Sequence, residues 1–298
     1  MIQFRRYHCA ENLFEGDFIL VRDFLQKLNT PTYPAGWWTQ HITRPSVNTE
    51  LLSKFGLWFE NEQLVALACV EDSLGSCHLC VQDDKKHLLD EVIAYAKENL
   101  HNDGAFSLMV LDLDKQFQEA AAGAGLYPTQ ERDTESVIQI DLENLHYTLP
   151  EGFHITGMAE NYDPIQFAGL MRRGFENDQK EYTPSPEDIA KIDRQFKRPF
   201  VDLELQLAVI AADGTWASFC GIWPAGDMAC IEPVVTDPAY QKMGLGKAAV
   251  YEALRRAGKR GCKTAVVLTS KQFYFNIGFR PNSTSTWWKE KVSQNIDN

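Results

Sequence analysis

The chain has 298 residues, 44% of them hydrophobic and 23% charged, and a formal net charge of −12. That length suits two domains of ordinary size with a real core each, and the composition is that of a soluble globular protein. So acidic a surface speaks against nucleic acid, which calls for a basic stripe, and suits a cationic acceptor.

In chain order, Met1–Arg6 reads as a short strand and Asp17–Leu28 as an amphipathic helix, followed by a Pro-, Trp- and Thr-rich loop over Pro31–Pro45. Phe55–Glu60 and Leu64–Glu71 form a predicted hairpin, Ser76–Val81 a further strand, Lys86–Asn99 a helix and Ala105–Leu111 a strand. Lys115–Ala124 is a helix ended by glycines, and Ser136–Leu142 closes the first half as a strand. Glu143–Glu151, with Pro150 and little periodicity, reads as a linker. The second half repeats the order: Phe153–Thr156 begins it, Pro164–Glu176 and Pro186–Phe196 are helices, and Leu205–Ala212 and Thr215–Trp223 are strands hinged at Asp213-Gly214. After these come strand Met228–Val235, a glycine turn, a helix from Leu245, strand Thr264–Thr269, short helix Lys271–Ile277 and a last strand near Ser285–Lys289.

No apolar run is long enough to span a bilayer, and the opening MIQFRRYHCAENLF lacks a signal peptide's apolar region and cleavage site, so a cytoplasmic protein without membrane contact is expected. Seven cysteines, mostly within apolar strands, read as free buried thiols of a reducing compartment. Cys77-x-x-Cys80 lies inside a strand with no second pair, which favours core thiols over zinc or redox chemistry. The His spacing offers no ligand pair, and no metal is expected.

Chemistry concentrates at Gln241-Lys242-Met243-Gly244-Leu245-Gly246-Lys247, where a strand and turn deliver glycines to a helix N-terminus. Unpartnered first-turn N–H groups, the helix dipole and a side-chain-free backbone make such a place an anion site. A P-loop fails, because position 241 is Gln and position 248 is Ala. Gly244, Gly246 and Ala249 fit G-x-G-x-x-A, but nine residues separate strand from turn, and the next strand ends without the ribose-binding acid.

Val235, Pro238, Gln241, Gly244 and Gly246, as V-x-x-P-x-x-Q-x-x-G-x-G, resemble the pyrophosphate loop of the GNAT acyltransferase superfamily. Tyr274, four residues before Gly278-Phe279, resembles its second landmark. The resemblance implies an α/β (α+β) fold of two GNAT-like domains, each a mixed, mostly antiparallel twisted sheet flanked by helices. Residues 152–298 would bind acetyl-CoA as co-substrate, 143–151 would link, and 1–142 would be a degenerate copy without a cofactor site, since Asp83 and Asp84 stand where phosphates would go. It further implies that Gln241–Lys247 cradle the pyrophosphate, that Val234 and Val235 pair with pantetheine, and that Tyr274 meets the cofactor and serves the departing thiolate. Glu232, just before those valines, is the candidate general base. The acceptor pocket is expected from Phe175–Tyr182 and Trp223, with Glu176, Asp178 and Glu181 able to read a cation. The activity implied is N-acetylation of a small-molecule amine by direct attack in a ternary complex, in a monomer or homodimer. The alternatives are a non-catalytic CoA-binding sensor or scaffold, and an acetyltransferase for peptides or proteins.

Overall fold

The computed structural model describes residues 1–103, 105–176 and 182–290. In the first half, β1 (Ile2–Arg6) is followed by helices α1 (Asp17–Leu28), α2 (Ala35–Thr43) and α3 (Thr49–Leu52), then β2 (Gly56–Glu60), β3 (Gln63–Val70) and β4 (Ser76–Val81). A 3-10 turn at Asp83–Leu88 enters α4 (Leu89–Asn99), before β5 (Ser107–Leu111), α5 (Lys115–Gly123) and β6 (Leu126–Gln139). The second half runs β7 (His154–Gly157), α6 (Pro164–Phe175), α7 (Pro186–Phe196), β8 (Gln206–Ile210), β9 (Trp216–Ala225) and β10 (Met228–Thr236). It ends with α8 (Leu245–Lys259), β11 (Thr264–Leu268), α9 (Gln272–Asn276) and β12 (Arg280–Glu290). Among the described residues no helix is long and apolar enough to cross a membrane.

Among the described residues, all twelve strands join one sheet in the order β1-β2-β3-β4-β5-β12-β6-β11-β10-β9-β8-β7. Pairing is antiparallel except at β4·β5 and β10·β11, one parallel junction in each half. The order reveals an exchange. β12, from the end of the chain, pairs with β5 of the first half (Ser285↔Leu111 to Lys289↔Ser107), while β6, from the first half, pairs with β11 of the second (Thr264↔Gln139 to Leu268↔Glu135). Trp288 of β12 accordingly packs into the first half's core. The expected boundary at 143–151 therefore divides the chain but not the sheet.

The short helix α3 has no counterpart in the sequence reading and β12 begins at Arg280, ahead of the expected Ser285; two further departures bear on the seam. The expected loop Pro31–Pro45 contains α2, whose residues are buried on nearly every side except at Trp37. A helix buried all round has no polar face and so no amphipathic period to read. Pro34 N-caps it, and Trp38 Nε1 donates to the Phe18 carbonyl of α1 at 3.1 Å. The strand expected at Ser136–Leu142 begins at Leu126, since β6 takes in the charged run Thr129–Glu135. Those charges are satisfied across strands: Trp287 Nε1 donates to Asp133 at 2.8 Å, and Lys289 pairs with Glu131 at 2.8 Å. Asp17, at the start of α1, is buried and receives Arg5 and the His8 N–H, which ties β1 to α1.

Since β12 and β6 each complete the other half, residues 1–142 expressed alone leave the β5 edge bare, and 152–298 alone leave that of β11. Each is expected to be insoluble or unfolded by gel filtration and circular dichroism, and co-expression to recover a folded complex. A monodisperse, folded 1–142 would show that the exchange is dispensable.

Candidate active site

β10 and β11 run together only over Met228–Cys230 and Thr264–Val266, and then part. What drives them apart is a bulge in β10. Its register against β9 jumps from Ile231↔Ile222 to Val234↔Cys220, leaving Glu232 and Pro233 as extra length opposite Gly221. The Glu232–Pro233 peptide is cis. Trp223 Nε1 holds the bulge by donating to the Glu232 carbonyl at 2.6 Å. Gly221 makes room for it: a Cβ there would lie 2.5 Å from Gln206 Oε1 and 2.7 Å from the Glu232 carbonyl oxygen. Beyond the bulge, Ser218 Oγ donates to the Val235 carbonyl at 2.8 Å, so β10 stays bound to β9 while its other edge opens.

Below this opening lies the glycine turn. Gly244 (φ +82°) and Lys242 (φ +64°) are left-handed, and Gly244 is the N-cap of α8. Among the described residues the backbone N–H groups of Lys242 to Lys247 have no backbone acceptor, and they gather at the positive end of a fifteen-residue helix. Asp237 fixes the approach to the turn. It is buried, accepts the Ala239 N–H at 2.9 Å, and forms an ion pair with Arg173 of α6. The next residue of α6, Gly174, lies so close to Val235 that a Cβ would fall 2.0 Å from its Cγ2.

The opening and the turn share one cavity of about 670 Å³. It is lined by Val234, Val235, Gln241, Lys242, Gly244, Leu245, Gly246, Lys247 and Tyr274, nine of the ten residues expected at the cofactor, and also by Gly174, Phe175, Lys271 and Phe273. The tenth, Met243, lies outside that lining and is exposed. Tyr274 is buried, and burial, with Cys220 and Glu232 nearby, pushes its phenol above the ordinary value of 10. Glu232 is partly buried, and its carboxyl is raised by desolvation against the opposing pull of Arg44 and with the added push of Glu71. It does not line the cavity itself, although its charge acts on Tyr274.

The acceptor expectation fares differently. Trp223 is buried and spent on the bulge, and Phe175 faces the cofactor cavity, so neither builds a separate pocket. Glu176 lies 4.0 Å from Arg172, Tyr182 donates to Asp188 at 3.3 Å, and Asp178 and Glu181 fall outside the described residues. A second space, missed in the sequence, opens at the seam of the halves around Trp37, Glu71, His78, Asp133, Glu135 and Trp287. Its residues come from six separate elements and their flanks, and no local pattern joins them. Cys77 and Cys80 are buried, with burial pushing each thiol up to about 12, which suits core thiols. Among the described residues no three His, Cys, Asp or Glu side chains are grouped to hold a metal.

Residues 172–279 match the model of the acetyltransferase (GNAT) family. This segment is a GNAT-family domain. No curated protein matches the chain. Among solved structures it resembles a tandem GNAT protein from the clavulanic acid biosynthesis pathway (12% identity, TM-score 0.61, 97% of this chain and 98% of that one). A GCN5-related N-acetyltransferase from Sphaerobacter thermophilus is similar over 97% and 95% of the two chains, at 13% identity and a TM-score of 0.58. N-myristoyltransferase of Saccharomyces cerevisiae, solved with myristoyl-CoA, is similar over 97% and 78%, at 13% and 0.55. At these identities the likeness is one of fold, and it extends the two-domain GNAT architecture to the whole chain.

The two glycines behave differently on substitution. Gly221→Ala drives a Cβ into the bulge and is expected to cost about 2 kcal/mol in urea unfolding. Gly244→Ala meets nothing within 4 Å and pays only for its left-handed backbone, about 1 kcal/mol. Equal costs would mean that the bulge tolerates a side chain.

Proposed function

We propose that the chain is an acetyl-CoA-dependent N-acetyltransferase that acetylates a small-molecule amine by direct attack within a ternary complex. One observation carries this reading: the unpaired edge of β10, the N–H groups of the glycine turn and the phenol of Tyr274 line the same cavity. The turn suits a pyrophosphate, because its donors are unpaired and Lys242 and Lys247 add charge. The β10 edge suits pantetheine amides as an added strand, and an N–H near Val234 suits the thioester oxygen as charge builds there.

In the reaction the amine nitrogen attacks the thioester carbon, the C–S bond breaks, and the acetyl group leaves on nitrogen. An alkylammonium near pKa 10.4 loses roughly 4–5 kcal/mol in going neutral at pH 7, so it needs a base. Glu232 is the proposed one, directly or through water. Tyr274, kept protonated by burial, would hydrogen-bond the departing thiolate. The first half has a similar parting at β4·β5, which pair only through Ser76–Ser107 and Cys77–Leu108. Its turn lacks glycine, however, and Lys86 there bridges Asp83 and Asp114. We assign it no cofactor and a role in walling the acceptor side. Seven free thiols support work in the reducing cytoplasm.

Calorimetry with acetyl-CoA is expected to give one site per chain, abolished by Gly244→Glu, which adds a carboxylate at the anion cradle. Two sites would assign a cofactor to the first half as well, and none would overturn the proposal. Tyr274→Phe is expected to lower turnover by tenfold or more with little change in acetyl-CoA affinity. Unchanged turnover across the pH range would remove Tyr274 from the chemistry, and tight binding without thiol release from any amine would favour a sensor. A base must be ionised to act, and the Glu232 carboxyl is raised. Turnover is therefore expected to climb with pH along a limb lying above the ordinary carboxyl value of 4.5, and Glu232→Gln to abolish that limb. A limb unchanged in the variant would exclude Glu232.

A further inference from the structure

The space at the seam holds about 130 Å³, roughly four waters' share at ~30 Å³ each. Three carboxylates line it, Glu71 beyond the end of β3 and Asp133 and Glu135 on β6, and no Lys or Arg does. Each spends one oxygen on protein. Glu71 Oε1 accepts from Arg44 at 2.9 Å, Asp133 Oδ2 from Trp287 Nε1 at 2.8 Å, and Glu135 Oε2 from Asn282 and Ser283. Among the described residues the second oxygen of each has no hydrogen-bond donor.

Two further polar atoms stand unpartnered in the same lining. His78 is 3% exposed, and its Nδ1 has no hydrogen-bond partner. Its ring bonds the backbone of Thr32, and burial lowers its pKa to about 4, so the ring is neutral at pH 7 and Nδ1 is left as a lone pair. Trp37 Nε1, buried beside it, is a donor without an acceptor. An unpaired buried polar group costs about 1–3 kcal/mol, and two among the lining residues, beside three carboxylates that each keep an oxygen free of protein donors, call for a ligand of complementary chemistry. The three carboxylates and the His78 lone pair are acceptors that suit the N–H bonds of an ammonium, and the Trp37 N–H is a donor that suits an oxygen. Trp37 and Trp287 add aromatic surface beside the charge.

We infer that this cavity seats the acceptor of the reaction, and that the acceptor is a small compound carrying an ammonium group with an oxygen a few atoms away. The cation site stands on the cavity itself; its role as acceptor seat rests on the acetyl transfer proposed above. Position supports that role. Trp37, which lines the seam cavity, packs against Trp223 and Cys230, and Trp223 holds the bulge by its bond to the Glu232 carbonyl, so the seam cavity lies beside the bulge. Gly36 of α2 closes the wall, since a Cβ there would lie 2.4 Å from that of Cys230.

The test titrates the full chain with 2-aminoethanol at neutral pH without any CoA, beside ethylene glycol, its uncharged counterpart. One saturable site is expected for 2-aminoethanol, with ethylene glycol at least tenfold weaker. Glu135→Gln, which keeps an oxygen for Asn282 and Ser283, is expected to weaken 2-aminoethanol at least tenfold with an unchanged melting temperature. Should that variant melt early, Glu71→Gln serves in its place with the same expected loss. Equal binding of the two compounds, affinity indifferent to either substitution, or no saturation at all would overturn the inference. Saturable 2-aminoethanol binding in a chain that fails to bind acetyl-CoA would leave the cation site standing and remove only the transferase.

Discussion

The structure depends on the parting of β10 from β11. Two parallel strands in one sheet ordinarily continue to pair, because an open edge inside a sheet strands backbone donors and acceptors. Here the extra length at Glu232-Pro233 bends β10 away, and the fold meets the local cost with specific groups: the Trp223 indole on the Glu232 carbonyl, Ser218 on the Val235 carbonyl, and a glycine at 221 where any side chain would intrude. The unmet edge that remains is the useful product. It runs from the bulge to the glycine turn, so one irregularity creates the slot and points it at the anion cradle.

The exchange of β6 and β12 does for the acceptor side what the bulge does for the cofactor side. With each half's last strand lodged in the other, the halves cannot move independently without breaking sheet hydrogen bonds. The seam becomes a fixed wall rather than a sliding interface. The carboxylates of the seam depend on that rigidity, because Glu135, buried, and Glu71, partly buried, are both raised by desolvation and would gain water if the seam loosened. A site that binds charge by pre-placed acceptors needs them held in place before the ligand comes.

How much of this could be read from the chain follows from how local each feature is. The glycine turn, the strand before it and Tyr274 sit within one continuous stretch, and nine of the ten expected cofactor residues line the cavity. Helix α1 matches its expected bounds because its buried residues recur at helical spacing, and β4 because it is a short, almost wholly buried run. Helix α2 was illegible because burial on nearly all sides erases the period. Strand β6 was half-illegible because its charges are satisfied by neighbours 150 or so residues distant, such as Lys289 and Trp287. The acceptor cavity fails for the same reason on a larger scale. Glu71 and His78 meet through the pairing of β3 with β4, but Asp133, Glu135 and Trp287 join them only through the exchanged strands, and no spacing in the sequence encodes that.

The two halves then make a controlled comparison within one chain. Both have a parallel junction that pairs briefly and opens, and both have a cavity beneath it, about 430 Å³ in the first half and about 670 Å³ in the second. The slot is thus a property of the fold. What differs is the turn. In the second half left-handed Lys242 and Gly244 expose a run of N–H groups, whereas in the first a 3-10 turn places Asp83 at the mouth and Lys86 is already held by two carboxylates. An incoming phosphate would have to break those ion pairs and approach Asp83, and like charges at short range cost far more than a cradle lacking glycine could return. The first half instead supplies Trp37, Glu71 and His78 to the seam, so that of two similar slots one carries a glycine turn and the other borders a pocket between the halves.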